Sequence, residues 1–441
     1  MEGSSGVVEK AFEVLKKYPL CDRCLGRLFA GLGYGWSNKE RGDALKRVMV
    51  MGLHDRIWRK EPGALEEFKN VAPNIGEQAA PLYEKLFGDE LKARECYICG
   101  GRLEEVIASA ARHGKPLLRA YDVTRYIVGV KLEGDVEERE RSIRLEFGLP
   151  YGESIKAEIR REVGKLMMDD DMRPEFNEPE ATLLVHYPSG ELELQVNSLF
   201  IKVRYWKKAR FISQAYWPSP EGPRYFSVEQ AAWGLMRETG SERLILHASG
   251  REDIDARMLG SGRPALIELK APRRRRIPLD RLVEAVNSEG RGLVEFVVEG
   301  FASRREVRLY KEDFSQKRKV YKALVAFEGD IGSDELSRLS EFFSNRLILQ
   351  RTPRRVLHRR PDILRKRRVH SVKCRKIMDN VAECLVVADG GLYVKELVSG
   401  DGGRTTPSFS EVLGIATECV ELDVVHVEHP SIEPSTLKPG A

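Results

Sequence analysis

No stretch of about eighteen consecutive apolar residues occurs in this 441-residue sequence, which leaves it without a candidate membrane-spanning helix. Met1 to Tyr18 carries Glu and Lys where a secretion signal needs an uninterrupted apolar run, so the expectation is a cytoplasmic protein. Cysteine is sparse, with 7 residues in all, and without a secretory signal a disulfide framework is not expected. Cys374, Cys384 and Cys419 are scattered and read as ordinary thiols, core or partly exposed. A phosphate-binding loop ending in Gly-Lys-Ser or Gly-Lys-Thr is missing. Gly31-Leu-Gly-Tyr-Gly lacks the preceding strand that a dinucleotide loop requires and reads as a helix-terminating turn. No organic or nucleotide cofactor is therefore expected. Internal repeats and low-complexity tracts are absent as well.

What is present describes an ordered chain of two or three domains, 42% hydrophobic and 32% charged. The net charge of +5 is modest but unevenly placed. Arg346 to Arg368 holds ten Lys or Arg against one acid, Asp362, and Lys270 to Arg276 holds five cations and no acid. Such patches suit a polyanion; the alternative is a solvated charged face.

Ser4 and Ser5 can cap a helix that carries Val8, Ala11, Phe12 and Leu15 on its apolar side. A second helical run spans Leu25 to Met51, and a long charged helical region ends near Arg94. From about Lys115 strands and helices alternate. Tyr126 to Leu132 is a strand, Ile155 to Met168 a helix, and Ala181–Tyr187 with Leu192–Val196 a hairpin turning through Pro188-Ser-Gly-Glu. Pro218-Ser-Pro-Glu-Gly-Pro reads as a linker. That divides the chain into an accessory part, 1–217, and a second domain, 218–441. In the second, a helix over Val228 to Thr239 precedes strands at Leu266, Val294 and Val320 and helices near Leu279 and Leu336. Leu385 to Ser399 reads as a hairpin turning at Asp389-Gly-Gly. The fold class is α+β.

Two pairs of cysteines stand at two-residue spacing, Cys21 with Cys24 and Cys96 with Cys99. Each pair can clamp an ion from one turn, and four soft ligands suit tetrahedral zinc. An iron–sulfur cluster, a redox dithiol and unrelated cysteines are the alternatives. The intervening 71 residues must fold back on themselves to unite the pairs.

The densest polar run is Gly250-Arg-Glu-Asp253-Ile-Asp255-Ala-Arg257 and on to Pro264, with three carboxylates and three arginines. Loops on a rigid scaffold commonly present catalytic groups, and an Asp beside Arg stays ionised. A structural salt-bridge loop is the competing reading.

Gly250-Arg-Glu-Asp253 resembles the Gly-Arg-x-Asp motif that carries the catalytic aspartate of pseudouridine synthases. Lys319-Val-Tyr321-Lys-Ala-Leu-Val resembles their tyrosine motif, and Tyr393-Val-Lys395-Glu-Leu-Val-Ser-Gly-Asp-Gly their third, basic motif. The runs Gly250–Pro264, Gln350-Arg-Thr-Pro-Arg-Arg-Val-Leu-His-Arg-Arg and Lys395–Pro407, with Gln195-Val-Asn-Ser-Leu-Phe and the paired cysteines, are similar to the archaeal and eukaryotic family that forms pseudouridine at positions 54 and 55 of tRNA. The resemblance covers nearly the whole chain. It implies a THUMP-like RNA-binding accessory domain with a structural zinc on Cys21, Cys24, Cys96 and Cys99, and a mixed-sheet catalytic domain flanked by helices. It also implies tRNA, through its T-arm, as partner, and cofactor-free isomerisation of uridine by Asp253, with Tyr321 facing the base and Lys395 paired with Asp253. Arg251, Arg354, Arg355, Arg359, Arg360, Tyr393 and Arg404 are the expected substrate contacts. A different tRNA-modifying enzyme would need a nucleotide loop or catalytic cysteine motif; a silent RNA-binding protein has no use for Asp253, Tyr321 and Lys395 together.

Overall fold

A computed structural model of the chain describes residues 6–218, 224–248, 250–307 and 317–428. Ser4, Ser5 and most of the Pro218–Pro223 linker lie outside the described residues. The chain forms two compact units, Met1–Asn197 and Ser198–Ala441.

The first unit begins with helices α1 (Val7–Lys17), α2 (Asp22–Leu28) and α3 (Asn38–Trp58), followed by α4 (Ala64–Ile75), α5 (Ala80–Phe87) and α6 (Leu103–Arg119). The expected single run from Leu25 to Met51 is split, because the glycines at 31, 33 and 35 form the turn that ends α2. Ser37 then starts α3 with a capping box, accepting from the Glu40 N–H at 3.2 Å while Glu40 accepts from the Ser37 N–H at 2.7 Å. Helices α2 and α3 meet at Gly26, where a Cβ would stand 1.8 Å from the Asn38 carbonyl oxygen. The charged helical region stops at Phe87, and the chain runs irregularly to the turn at Cys96.

Strand β1 (Arg125–Leu132), helices α7 (Val136–Glu146) and α8 (Ile155–Met167), and strands β2 (Arg173–Pro174), β3 (Ala181–Tyr187) and β4 (Leu192–Val196) complete this unit. The sheet order is β2-β1-β3-β4, with β1 and β3 parallel and β3 and β4 antiparallel. Strand β3 alternates buried and half-buried residues, so Leu183 and Val185 reach the same core as Ile107 of α6 and Ile159 of α8. Arg27 is fully buried between carboxylates of two helices, 2.7 Å from Glu140 and 2.9 Å from Glu158.

The second unit starts earlier than composition suggested. Strand β5 (Leu199–Lys207) precedes the Pro-rich segment yet pairs on both edges inside the larger sheet, with β7 (Arg257–Lys270) and β8 (Val294–Ala302). It buries Ile201, Val203 and Tyr205 there. The boundary therefore falls at Asn197/Ser198 rather than 217/218; proline and glycine mark a surface loop, not the change of core. The helix expected over Val228–Thr239 is broken into α9 (Val228–Ala231) and α10 (Gly234–Thr239).

Further elements are β6 (Arg243–Ala248), α11 (Leu279–Asn287), β9 (Arg318–Phe327), α12 (Ser333–Phe342), β10 (Arg346–Arg351), β11 (Leu364–Met378), β12 (Val381–Asp389), α13 (Val394–Ser399), β13 (Thr405–Thr406), α14 (Phe409–Leu413) and β14 (Thr417–Val427). The strand order is β13-β10-β11-β12-β9-β14-β7-β5-β8, with β6 also on β7. Two sequence expectations fail here. Residues after Asp389-Gly-Gly form helix α13, not a returning strand, because Val394, Leu397 and Val398 bury one helical face in the core and Gly400 caps the end at φ 79°. Cys374 and Cys384 are not free thiols. They sit directly opposite on β11 and β12, Cα atoms 4.1 Å apart, and form a disulfide. Pairing register, invisible in their separation along the chain, brings them together. None of the helices among the described residues is long and apolar enough to cross a membrane.

Candidate active site

Glu252 is the buried centre of the loop between β6 and β7. Its carboxylate lies 2.9 Å from Arg263 Nε and 3.9 Å from Lys207 Nζ, and it accepts the Tyr205 hydroxyl at 3.1 Å. Burial opposes its charge, but the Arg263 and Lys207 cations outweigh it and hold the carboxyl below the usual range. Lys207 donates to the carbonyls of Ile212, Asp253 and Ile254 at 3.0, 2.9 and 3.4 Å. Two residues of β5 thus pin the loop from below, one through its side chain and one through its backbone.

The neighbouring Asp253 points outward to Arg355, which lies in the 3₁₀ turn Arg354–Arg359 after β10. Arg355 Nη2 is 2.8 Å from Asp253 Oδ2, while its Nε is 2.6 Å from Glu396 of α13. Burial opposes the guanidinium charge, and its hydrogen bonds to Glu396 and Asp253 more than compensate. Lys395 takes the other aspartate: its ammonium is hydrogen-bonded to Asp255. Burial raises the Asp255 carboxyl, yet that bond keeps it below the usual range. Strand pairing brings Tyr321 to the same place. Val424 of β14 is opposite Tyr321 of β9 on one side and Met258 of β7 on the other. Tyr321 is buried, and burial pushes its phenol up to about 12 despite the offsetting charge of Arg263.

Glu252, Asp253, Arg263 and Tyr321 are among the residues that line a cavity of about 660 Å³. Asp253 and Tyr321 line it with Ala256, Leu422 and Val424; Arg251, Arg359, Arg360 and Tyr393 stand around it. A carboxylate, an apolar floor and a ring of cations could receive a planar group attached to a polyanion.

Residues 200–428 match the family model described as Pus10, C-terminal, and residues 111–186 the model for the archaeal Pus10 THUMP domain. A protein of Aeropyrum pernix named tRNA pseudouridine synthase Pus10 is 58% identical over 428 residues, covering 96% of this chain and 98% of that one. Its namesake in Ignisphaera aggregans is 40% identical over 426 residues, covering 96% and 99%. This chain belongs to the Pus10 family of tRNA pseudouridine synthases. The α+β class, the THUMP unit and the synthase domain are those the family has, as its motifs implied.

Within that Pus10 framework the structure redistributes several expected roles. Asp253, Tyr321, Tyr393, Arg251, Arg359 and Arg360 do meet at one cavity. Lys395 does not pair with Asp253, because helix α13 directs it to Asp255; Arg355, expected on a phosphate, is the partner instead. The loop's other arginines, Arg257 and Arg263, engage Asp423 and Glu252. Arg404 is turned inward, bonded to Asp362 at 2.5 Å and to the Thr352 carbonyl at 2.8 Å. Arg251 sets its guanidinium 5.8 Å from the Trp217 ring centroid. Arg360 donates to the Tyr393 hydroxyl at 3.2 Å. The side chains of Arg354 and Arg359 form no ion pair among the described residues. Glu252, Lys207, Tyr205 and Glu396 escaped sequence reasoning, as did the pairing of Arg263 with Glu252. Only the Arg-Glu-Asp adjacency hinted at the first.

In the other unit, Cys21 caps α2, Cys24 lies in its first turn, and Cys96 and Cys99 occupy the turn before α6. Their sulfurs all fall within 4.8 Å of one another, with Cys21 and Cys99 3.6 Å apart. Four sulfurs around zinc at about 2.3 Å stand ~3.8 Å from each other, so the cluster could hold such an ion. Arg27 donates to the Cys24 sulfur at 3.5 Å, placing a cation beside the cysteine cluster.

Replacing Glu252 with Gln keeps its shape and removes its charge, leaving Arg263 and Lys207 buried without a counter-ion. We expect a loss of about 3–5 kcal/mol in urea unfolding; an unchanged midpoint would show that the cluster does not hold the loop.

Proposed function

We propose that this chain converts uridine to pseudouridine in the T-arm of tRNA, at position 54, 55 or both, by a cofactor-free isomerisation in which Asp253 acts on the sugar. The observation that carries this reading is the Asp253 carboxylate, held by Arg355 at a cavity walled by Tyr321. The target nucleotide must leave its stack to enter such a chamber. Arg355 pairs with the Asp253 carboxylate, and Glu396 fixes the Arg355 fork. The Tyr321 ring offers the uracil a flat wall. Lys395 acts one step removed, tying Asp255 and hence the loop to α13. The reaction moves a base on one substrate molecule, so it calls for neither redox carrier nor activated donor. A cytoplasmic location belongs to the same reading.

Asp253→Asn should abolish tritium release from uridine-labelled tRNA while tRNA binding survives, because phosphate contacts dominate affinity; Asp255→Asn should retain measurable activity. Near-normal turnover by the Asp253 variant, with the Asp255 variant dead, would move the role by two residues.

Arg354, Arg359 and Arg360 are the segment's candidates for tRNA phosphates. Replacing Arg359 and Arg360 should weaken tRNA binding and flatten its salt dependence by about one unit of slope per lost contact. Unchanged affinity and slope would return the segment to a solvated face.

Cys21, Cys24, Cys96 and Cys99 fit one structural zinc, which when bound cross-links α2 to the turn before α6. Elemental analysis should find one zinc per chain, and Cys96→Ser should lower both zinc content and the stability of the first unit. Iron with sulfide, or no metal, would overturn the assignment.

A further inference from the structure

Two lysines lie buried beside Glu252, and they differ in one respect. Lys207 spends its three N–H groups on three backbone carbonyls. Lys319 forms no hydrogen bond or ion pair among the described residues, although its exposure is only 6%. It is two residues from Tyr321 on β9, and the strand's alternation places both on one face, lining the cavity with Asp253. The backbone of Gly250 closes over its amine. At φ 79° that residue favours glycine, and a Cβ there would stand 2.8 Å from Lys319 Nζ and 3.2 Å from Arg263 Nη1. The glycine of the Gly-Arg-Glu-Asp run therefore leaves room for an amine at the mouth of the catalytic loop.

We propose that Lys319 is the catalytic base that takes the C5 proton of the uracil after it has been rejoined to the sugar. This rests on the activity proposed above and adds a residue to it. An unpaired buried ammonium is expensive, so such a lysine favours its neutral form. Burial, reinforced by the positive charge of Arg263 and opposed by Glu252, lowers its amine to about 7. Its neighbours fit the task less well. The Tyr321 phenol keeps its proton near neutrality, and Asp253 is engaged by Arg355. In the step itself, the rejoined base carries both the sugar and a hydrogen at C5. The Nζ lone pair takes that hydrogen as a proton, and the C–H electron pair forms the C5–C6 double bond. The former N1–C6 double-bond electrons pass to N1, which accepts a proton from the new ammonium, directly or through solvent. The amine returns neutral, and the sum is transfer of one proton from C5 to N1.

The test separates this step from cleavage and rejoining. Tritium release from [5-³H]uridine tRNA requires loss of the C5 hydrogen. tRNA made with 5-fluorouridine has no such hydrogen, and its rearranged fluorinated nucleoside reports the earlier steps alone. Lys319→Met and Lys319→Gln should slow tritium release by about 10²- to 10⁴-fold while rearranging the fluorinated tRNA at a rate comparable to the unchanged chain. Rearrangement in the variant also certifies that it is folded. If both reactions fall together, or if tritium release is undiminished, Lys319 is not the base. An unchanged chain that releases no tritium would overturn the proposed activity itself.

Discussion

The loop that carries Asp253 depends on one buried electrostatic cluster. Glu252 enters the core only because Arg263 and Lys207 meet it there and Tyr205 donates to it. An ionised carboxylate buried without such partners would be strongly disfavoured. With Glu252 anchored, the next residue has little freedom: its carbonyl is tied to Lys207 and its side chain emerges toward Arg355. The order Arg-Glu-Asp then has a physical meaning. One acid is the root of the loop and the adjacent one faces the cavity.

The same cluster sorts the site's cations. Lys207 and Arg263 are consumed by structure, Arg355 and Lys395 by the two aspartates, and Arg404 by the 352–362 segment. Arg354 and Arg359 remain outward, with Arg251 and Arg360 loosely held beside aromatic rings. A dense basic sequence therefore divides into internal braces and outward charge, and only the outward share can contribute counter-ion release on an RNA.

In the other unit a comparable economy holds α2. Arg27 bridges Glu140 and Glu158 and reaches Cys24, so one buried cation links three helices to the cysteine cluster. The 71 residues between the cysteine pairs fold back through α3, α4 and α5, which leaves the sulfurs in reach of one another.

Much of this was legible in the sequence alone. Periodicity located β1, α8 and the β3–β4 hairpin, since apolar residues recur at the spacing their burial requires. Two-residue cysteine spacing named the metal-capable set, and the three motifs pointed to Asp253 and Tyr321, which the fold brings to one cavity. The partners were decided by tertiary structure. Whether Lys395 or Arg355 meets Asp253 turns on Val394–Ser399 being helix rather than strand. The disulfide turns on strand register, and the domain boundary on which sheet β5 joins. Side-chain chemistry is a local property that a sequence states residue by residue; pairing between distant residues depends on which surfaces are buried together, and that exists only once the chain has folded.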